Sequence, residues 1–305
     1  MCAKERKRRF IVRECNHVYQ KTVKGFLLFY DREDYLVCYM ILSVMARKYG
    51  VTILKVCFMV DHIHLLIDAP SCKVMSDFIR DYSSVYVHEY NTSSGRSGQM
   101  FHKSYGSAPK RGGKKTRSAI IYIGNNPVEK KLCSHAEDYR WNFLKYLLKP
   151  FPFSTEIPLA ECSRQLRRCI SIVNGASKAG RYLNYNRIRY MFDPLSEYEK
   201  EYLTDYIIKS YPLIDADRLL SYFEDWNQMV TAMHSTTGSE HDIKETFNKG
   251  SDQIYHDMMS YLAENGFNPV RTVITLPLDQ KIQLAHELRL HTGAAPHEIK
   301  KFLHI

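Results

Sequence analysis

Two runs of strand-forming residues, 51–59 and 62–69, are joined only by Val60 and Asp61. So short a link cannot carry the chain across a sheet, so the two strands must lie side by side and antiparallel. The second run reads His62-Ile63-His64-Leu65-Leu66-Ile67. Side chains on a strand alternate between faces, which puts His62 and His64 on one face and Ile63, Leu65 and Ile67 on the other. The apolar face is expected against helices. The other face offers two imidazoles about 7 Å apart along the strand, close enough for their ring nitrogens to converge on one metal ion. Taken alone, a pair this short reads first as two histidines on a half-buried sheet face, and its meaning depends on what surrounds it.

Around the hairpin, the first half alternates strands and helices. A strand is expected over 17–22 and a helix over 31–49, the latter ending at Gly50, a residue suited to a C-cap. A second helix over 71–90 opens at Ser71. Tyr82, Tyr86 and Tyr90 recur on it every four residues, a stripe read as core packing rather than as a base-stacking surface. Residues 92–98 read as a flexible loop and 100–108 as a short strand. A third helix spans 116–126 and is stopped by Pro127; a fourth spans 138–148. Pro150 and Pro152 mark a boundary between residues 1–150 and 151–305. Beyond it the pattern is helical: 159–173, 177–191, 196–209, 215–230, 241–248, 251–264 and 277–290, with 271–276 an extended connector. A last helical stretch covers 295–303, with Pro296 at its first position. The expected class is α+β: an antiparallel sheet with helices, then an all-helical second part.

The 305 residues suffice for two ordinary domains. No apolar run approaches the roughly 20 residues of a membrane span, and the basic N-terminus is not followed by the apolar stretch of a signal peptide. No membrane partner is expected. None of the eight cysteines forms a CxxC pair; they are expected as free thiols in a reducing compartment, which places the chain in the cytoplasm. The net charge of +10 is unevenly spread. Residues 1–150 hold 26 Lys/Arg against 13 Asp/Glu, whereas 151–305 hold 17 against 20. A polyanion is therefore expected mainly on the first half. Arg6, Lys7, Arg8 and Arg9, with Arg13, form one basic cluster. Lys103, Lys110, Arg111, Lys114, Lys115 and Arg117 form a second, in a stretch without an acid. With Gly112-Gly113 adding flexibility, this stretch is expected to hold a phosphate backbone just ahead of the third helix.

That third helix carries Tyr122 and Asn126, four residues apart and so on one face. Packed beside the histidine strand, Asn126 could supply an oxygen ligand and Tyr122 could aim its hydroxyl at a phosphate on the metal. The competing reading is a core tyrosine near a helix-ending Asn-Pro, and with 22 tyrosines present it is a strong one for any single tyrosine.

Several stretches in order carry a resemblance: Arg6-Lys7-Arg8-Arg9-Phe10, Asn16-His17-Val18-Tyr19, the entry to the first helix at 29–35, residues 57–67 with the histidine pair, Gly98-Gln99-Met100-Phe101-His102-Lys103-Ser104-Tyr105, Tyr122-Ile123-Gly124-Asn125-Asn126-Pro127-Val128, and Glu137-Asp138-Tyr139-Arg140-Trp141. Over residues 6–148 the chain resembles the HUH single-tyrosine transposases, specifically the REP-associated tyrosine transposases. The resemblance implies a ferredoxin-like core with the histidine pair on a central strand, His62 and His64 as metal ligands, Asn126 as third ligand and Tyr122 as nucleophile. It implies single-stranded or hairpin DNA as substrate, and a 5′-phosphotyrosine with a free 3′-hydroxyl that later reseals a strand. Two features depart from the family. Val60-Asp61 stands where Pro-Asn is common, and Asp61 reads as a turn residue rather than an extra acid. The region 105–116 is short and very basic, which bears on where the third helix sits.

A phenol with an ordinary pKa near 10 needs activation. A hard divalent cation, Mg²⁺ or Mn²⁺, would polarise the phosphate; imidazole with amide oxygen suits Mn²⁺ somewhat better, cellular abundance Mg²⁺. In the second half, residues 281–303 resemble the first two helices of a helix-turn-helix. DNA reading, homodimerisation and regulation stay open for that half. A domesticated, non-cleaving DNA-binding protein of the same fold is the alternative to a transposase-like enzyme. A replication or conjugative nickase with the same metal chemistry fits the segment spacing less well.

Overall fold

The computed structural model describes residues 10–102, 104–235 and 251–305. Arg6, Lys7, Arg8, Arg9, Lys103 and the helix expected at 241–248 lie outside the described residues. Four strands form one antiparallel sheet: β1 (Cys15–Lys21), β2 (Thr52–Met59), β3 (His62–Asp68) and β4 (Gly106–Lys110), in the order β2-β3-β1-β4. With α1 (Arg32–Tyr49) after β1 and α2 (Cys72–Ser94) after β3, the chain runs β-α-β-β-α-β, the ferredoxin-like arrangement. The fold is α+β, and the histidine strand is internal.

The alternation of β3 separates two cores. Ile63, Leu65 and Ile67 join Val18, Val56 and Phe58 under α1 and α2, in the same cluster as the wholly buried Tyr82, Tyr86 and Tyr90. Leu66, Cys57 and Met59 face the other way and pack against Ile120 and Ile123 of α3 (Gly112–Glu129). Gly50 closes α1 with φ 60°, in the left-handed region where a Cβ is costly. Ser71 caps α2 by accepting from the Val74 N–H at 3.1 Å. The loop expected from 92 begins later, because α2 continues to Ser94 and is capped by Gly95.

Three expectations fail for tertiary reasons. Pro127 does not end α3, which runs to Glu129; only the bond from the missing Pro127 N–H is lost, and packing on the sheet holds the turn. The helix expected over 138–148 is a series of 3-10 turns, Ala136–Asp138, Arg140–Asn142 and Lys145–Leu147. Trp141 stacks on Tyr35 at 4.1 Å and Phe143 on Tyr39 at 4.8 Å, with Phe143 in the left-handed region at φ 59°. Two aromatic rings two residues apart, both drawn onto α1, are incompatible with a helical face. The strand expected over 100–108 starts only at Gly106, preceded by a single bridge between Thr22 and Phe101.

The remaining elements are helical: α4 (Arg164–Lys178), α5 (Tyr185–Phe192), α6 (Glu197–Ser210), α7 (Ala216–Leu220), α8 (Trp226–Ser235), α9 (Gln253–Glu264), α10 (Leu278–Thr292) and α11 (Pro296–Leu303). The helix expected at 215–230 is split into α7 and α8, because Asp225 accepts from the Gln228 N–H at 2.7 Å and starts a new helix. The expected connector at 271–276 is instead a 3-10 turn, Val270–Thr275. This part packs onto the first half. Asp31 at the start of α1 accepts from the N–H groups of Val270 and Arg271 at 2.8 and 2.9 Å, and the Tyr30 hydroxyl donates to the Phe302 carbonyl. The seven described cysteines are free. No described helix is long and apolar enough to cross a membrane.

Candidate active site

The face of the sheet carrying His62 and His64 is set by register. Tyr19 lies opposite His64 and Lys21 opposite His62 on β1, while Cys57 and Met59 flank them on β2. The imidazole centroids are 4.8 Å apart with the rings nearly perpendicular, closer than strand spacing alone suggests because the two side chains lean together. The third helix packs on this face, so Tyr122 stands 5.9 Å from His64 and 5.8 Å from His17, edge-on to both rings. The phenol, the histidine pair and Asn126 are thus on one side of the sheet, in one chain.

Each imidazole is held through Nδ1. His62 Nδ1 lies 2.5 Å from the Asp61 carboxylate, and His64 Nδ1 lies 3.0 Å from His17 Nε2. With Nδ1 engaged, a metal would be met by the Nε2 atoms, both of which are buried. A histidine ligand whose other nitrogen donates to a carboxylate is a recurrent metal-site device, because the partner fixes the tautomer and the ring angle. Asp61 is therefore more than the turn residue expected from the sequence. Burial pushes its carboxyl up, but His62, Lys301 and Lys21 outweigh that and hold it below the usual carboxylate range. Burial drives the His64 pKa well below that of a free imidazole, and the neighbouring His62, His17 and Lys21 push the same way. A neutral ring is the form that binds a metal ion.

Asn126 donates its Nδ2 to the Tyr122 carbonyl at 2.9 Å. Its interaction with His64 favours the protonated ring, against the larger effects of burial and the neighbouring cations. The amide nitrogen is thus bonded within its own helix, and the side chain is near enough to His64 to bear on its protonation. No group of three or more His, Cys, Asp or Glu side chains placed to hold a metal occurs among the described residues, so a third protein donor here would be this amide oxygen. The donor set, two imidazoles and one carbonyl oxygen, fits a divalent cation such as Mn²⁺ or Mg²⁺.

The helix bearing Tyr122 is anchored at its middle. Asn142 donates to the Gly124 carbonyl at 2.7 Å and to the Ala136 carbonyl at 2.8 Å. Lys55, wholly buried on β2, donates in turn to the Asn142 side chain at 2.6 Å and to the Val56 carbonyl at 3.1 Å. On the other side, a Cβ at Gly124 would lie 2.6 Å from Met233 Cε of α8, so glycine lets the two helices approach. Burial pulls the Lys55 amine down to about 7. Unfolded, the amine titrates near its ordinary 10.5, so between these values the unfolded chain holds more protons and stability rises with pH. We expect Lys55→Met to flatten that rise in urea melts taken across this window. Parallel pH–stability curves for the two proteins would refute the assignment.

The site is closed as it stands. His62 is 3%, His64 0%, Tyr122 5% and Asn126 5% exposed, so a nucleotide reaches it only if a covering element moves. Asp252, just before α9, and Lys301 on α11 are near enough to bear on the charge of Asp61. The basic residues expected to hold DNA are distributed differently from a loop. Gly112 begins α3, so Lys114, Lys115 and Arg117 stand on its first turns, with Arg111 as the residue before it. Lys110 ends β4 with its side chain buried, apart from the exposed Arg111, Lys114 and Lys115. His17, Lys21 and Asp61 also belong to this cluster, although the sequence assigned no role at the site to the first two and read Asp61 as a turn residue. The signal for the first two is the alternation His17, Tyr19, Lys21 along β1, which becomes informative once β1 is known to pair with β3.

The chain is similar to known proteins in two respects. Residues 4–126 match a family model described as transposase IS200-like. Among solved structures, a REP-associated tyrosine transposase bound to a REP hairpin is matched at 15% identity, over 53% of this chain and 98% of that one, with a TM-score of 0.41. No curated protein matches the chain.

Proposed function

We propose that this chain is a transposase-like enzyme that cleaves and rejoins single-stranded or hairpin DNA, with Tyr122 as nucleophile and a divalent ion held by His62, His64 and Asn126. The observation that carries the reading is the meeting of the Tyr122 ring with the His64 ring at 5.9 Å, in a segment that matches IS200-like transposases. Bound there, the cation would polarise the scissile phosphate and favour the charge that develops on it. Asp61 and His17 keep the two imidazoles in one tautomer and orientation. Asn126 and Tyr122 move together because they share one rigid helix. The phenol oxygen attacks phosphorus and forms a phosphotyrosine ester while the P–O bond to the DNA 3′-oxygen breaks. The phenol proton passes, through solvent, to that oxygen, which leaves as a 3′-hydroxyl, and the reverse attack by a 3′-hydroxyl returns the proton to the phenol and seals a strand. Arg111, Lys114, Lys115 and Arg117, at the start of the same helix, are suited to phosphates next to the cleaved one.

The test is incubation with labelled hairpin oligonucleotides and Mn²⁺, which should give a protein–DNA adduct that survives denaturation. The His62→Ala/His64→Ala double variant should lose at least about 100-fold in Mn²⁺ affinity, more than loss of an outer partner alone costs; unchanged affinity would reject the ligand set. The burial of the four side chains favours a second reading, a DNA-binding protein that no longer cuts. Specific hairpin binding with no adduct under any metal would establish that instead.

A further inference from the structure

The second half is acidic overall, but its charge is segregated. Residues 162–192 contain seven Lys/Arg and no Asp/Glu, while the rest of 151–305 holds ten against 20. The fold brings the two ends of this stretch together. Arg168 of α4 and Arg187 of α5 both lie over the ring of Tyr190, at 5.5 and 5.9 Å. Tyr190 is 49% exposed, and Arg164 and Arg167, close to Arg168 in sequence on α4, are also exposed. Among the described residues none of these four arginines has a carboxylate ion-pair partner. A structural role would leave such guanidinium groups paired with acids, which this half has in excess.

The buried face of α5, with Ile188 and Met191, packs in the cluster formed by α1 and α2, and Arg189 donates to Ser93 at the end of α2 at 3.0 Å. The arginine patch is therefore on the side of the sheet away from Tyr122. We propose that α4 and α5 form a second nucleic-acid surface, which takes a single-stranded segment of the DNA other than the one at Tyr122. An exposed aromatic ring between guanidinium groups is the combination that holds single strands without sequence preference: the ring stacks on a base and the arginines take the flanking phosphates. An acidic protein would use the charges but has no need of the ring. The proposal rests on the reading of this chain as a DNA-processing protein, but it concerns binding and is tested apart from cleavage.

Affinity is measured by fluorescence anisotropy, without added metal, for a hairpin with and without long single-stranded tails. In Arg168→Gln/Arg187→Gln, binding of the tailed hairpin should weaken, and the slope of log affinity against log salt should become shallower by about 1.4, roughly 0.7 for each single-strand phosphate that is no longer neutralised. Tyr190→Ala should weaken the tailed hairpin at least about fivefold, the equivalent of one base stack. Binding of the tailless hairpin should be unchanged in both. These are surface substitutions, and an unaltered circular dichroism spectrum confirms the fold. Tailed binding with wild-type affinity and salt slope in both variants would overturn the proposal. So would equal weakening with and without tails, which would mean a general charge effect. Absence of any adduct with the wild type would bear on the cleavage reading alone and leave these binding results standing.

Discussion

Tyr122→Phe is expected to abolish formation of the covalent adduct, with a fall in strand cleavage of at least about 10⁴-fold, the scale on which loss of a nucleophile is felt. The substitution removes one oxygen and keeps the ring, so the edge-on packing against His17 and His64 and the seating of α3 persist. Hairpin binding and the melting temperature should therefore stay near wild type. A second phenol makes the experiment decisive. Tyr19 stacks on His64 at 5.2 Å and lies 5.7 Å from His62, as near the pair as Tyr122. Tyr19 projects from a paired central strand, however, while Tyr122 shares its helix with Asn126. Tyr19→Phe should retain the adduct. An adduct that survives in Tyr122→Phe and vanishes in Tyr19→Phe would transfer the role to β1.

The second large effect is on stability. Arg271 is 1% exposed and pairs with Asp34, which is 0% exposed. Its guanidinium also lies 4.0 Å from the Tyr185 ring and 4.9 Å from the Tyr90 ring. The Tyr185 hydroxyl donates to the same Asp34 carboxylate at 3.0 Å. Arg271→Ala leaves that carboxylate buried without its counter-charge, a change that typically costs about 3–5 kcal/mol. At roughly 2–4 °C per kcal/mol for a chain of this size, the melting temperature should fall by about 10 °C. Limited proteolysis should cut first within 251–305, the segment this ion pair ties to α1. A loss under about 1 kcal/mol, the level of a surface pair, would show that the pair does not hold the two parts together.

Most of the local architecture was legible. The two-residue link at Val60-Asp61, the alternation through His62 and His64, the Gly50 stop and the Ser71 start are short-range signals, and each corresponds to an observed element. The tyrosine stripe of α2 is core, as its period indicates. Where local patterns misled, side chains answered to partners far along the chain. Trp141 and Phe143 are drawn onto α1, which leaves 3-10 turns in place of the expected helix.

The same distinction runs through the site. Periods of two and 3.6 residues are properties of neighbouring positions, so the sequence by itself determined which strand carries the histidines, which face they share, and that Tyr122 and Asn126 point the same way. Only the tertiary structure decided that His17 reaches His64 from a strand 47 positions earlier, that Asn142 grips the Gly124 carbonyl, and that Arg271 meets Asp34 across 237 positions. Such pairings depend on how whole elements pack, and no local period in the chain encodes which distant partner a buried polar group will find.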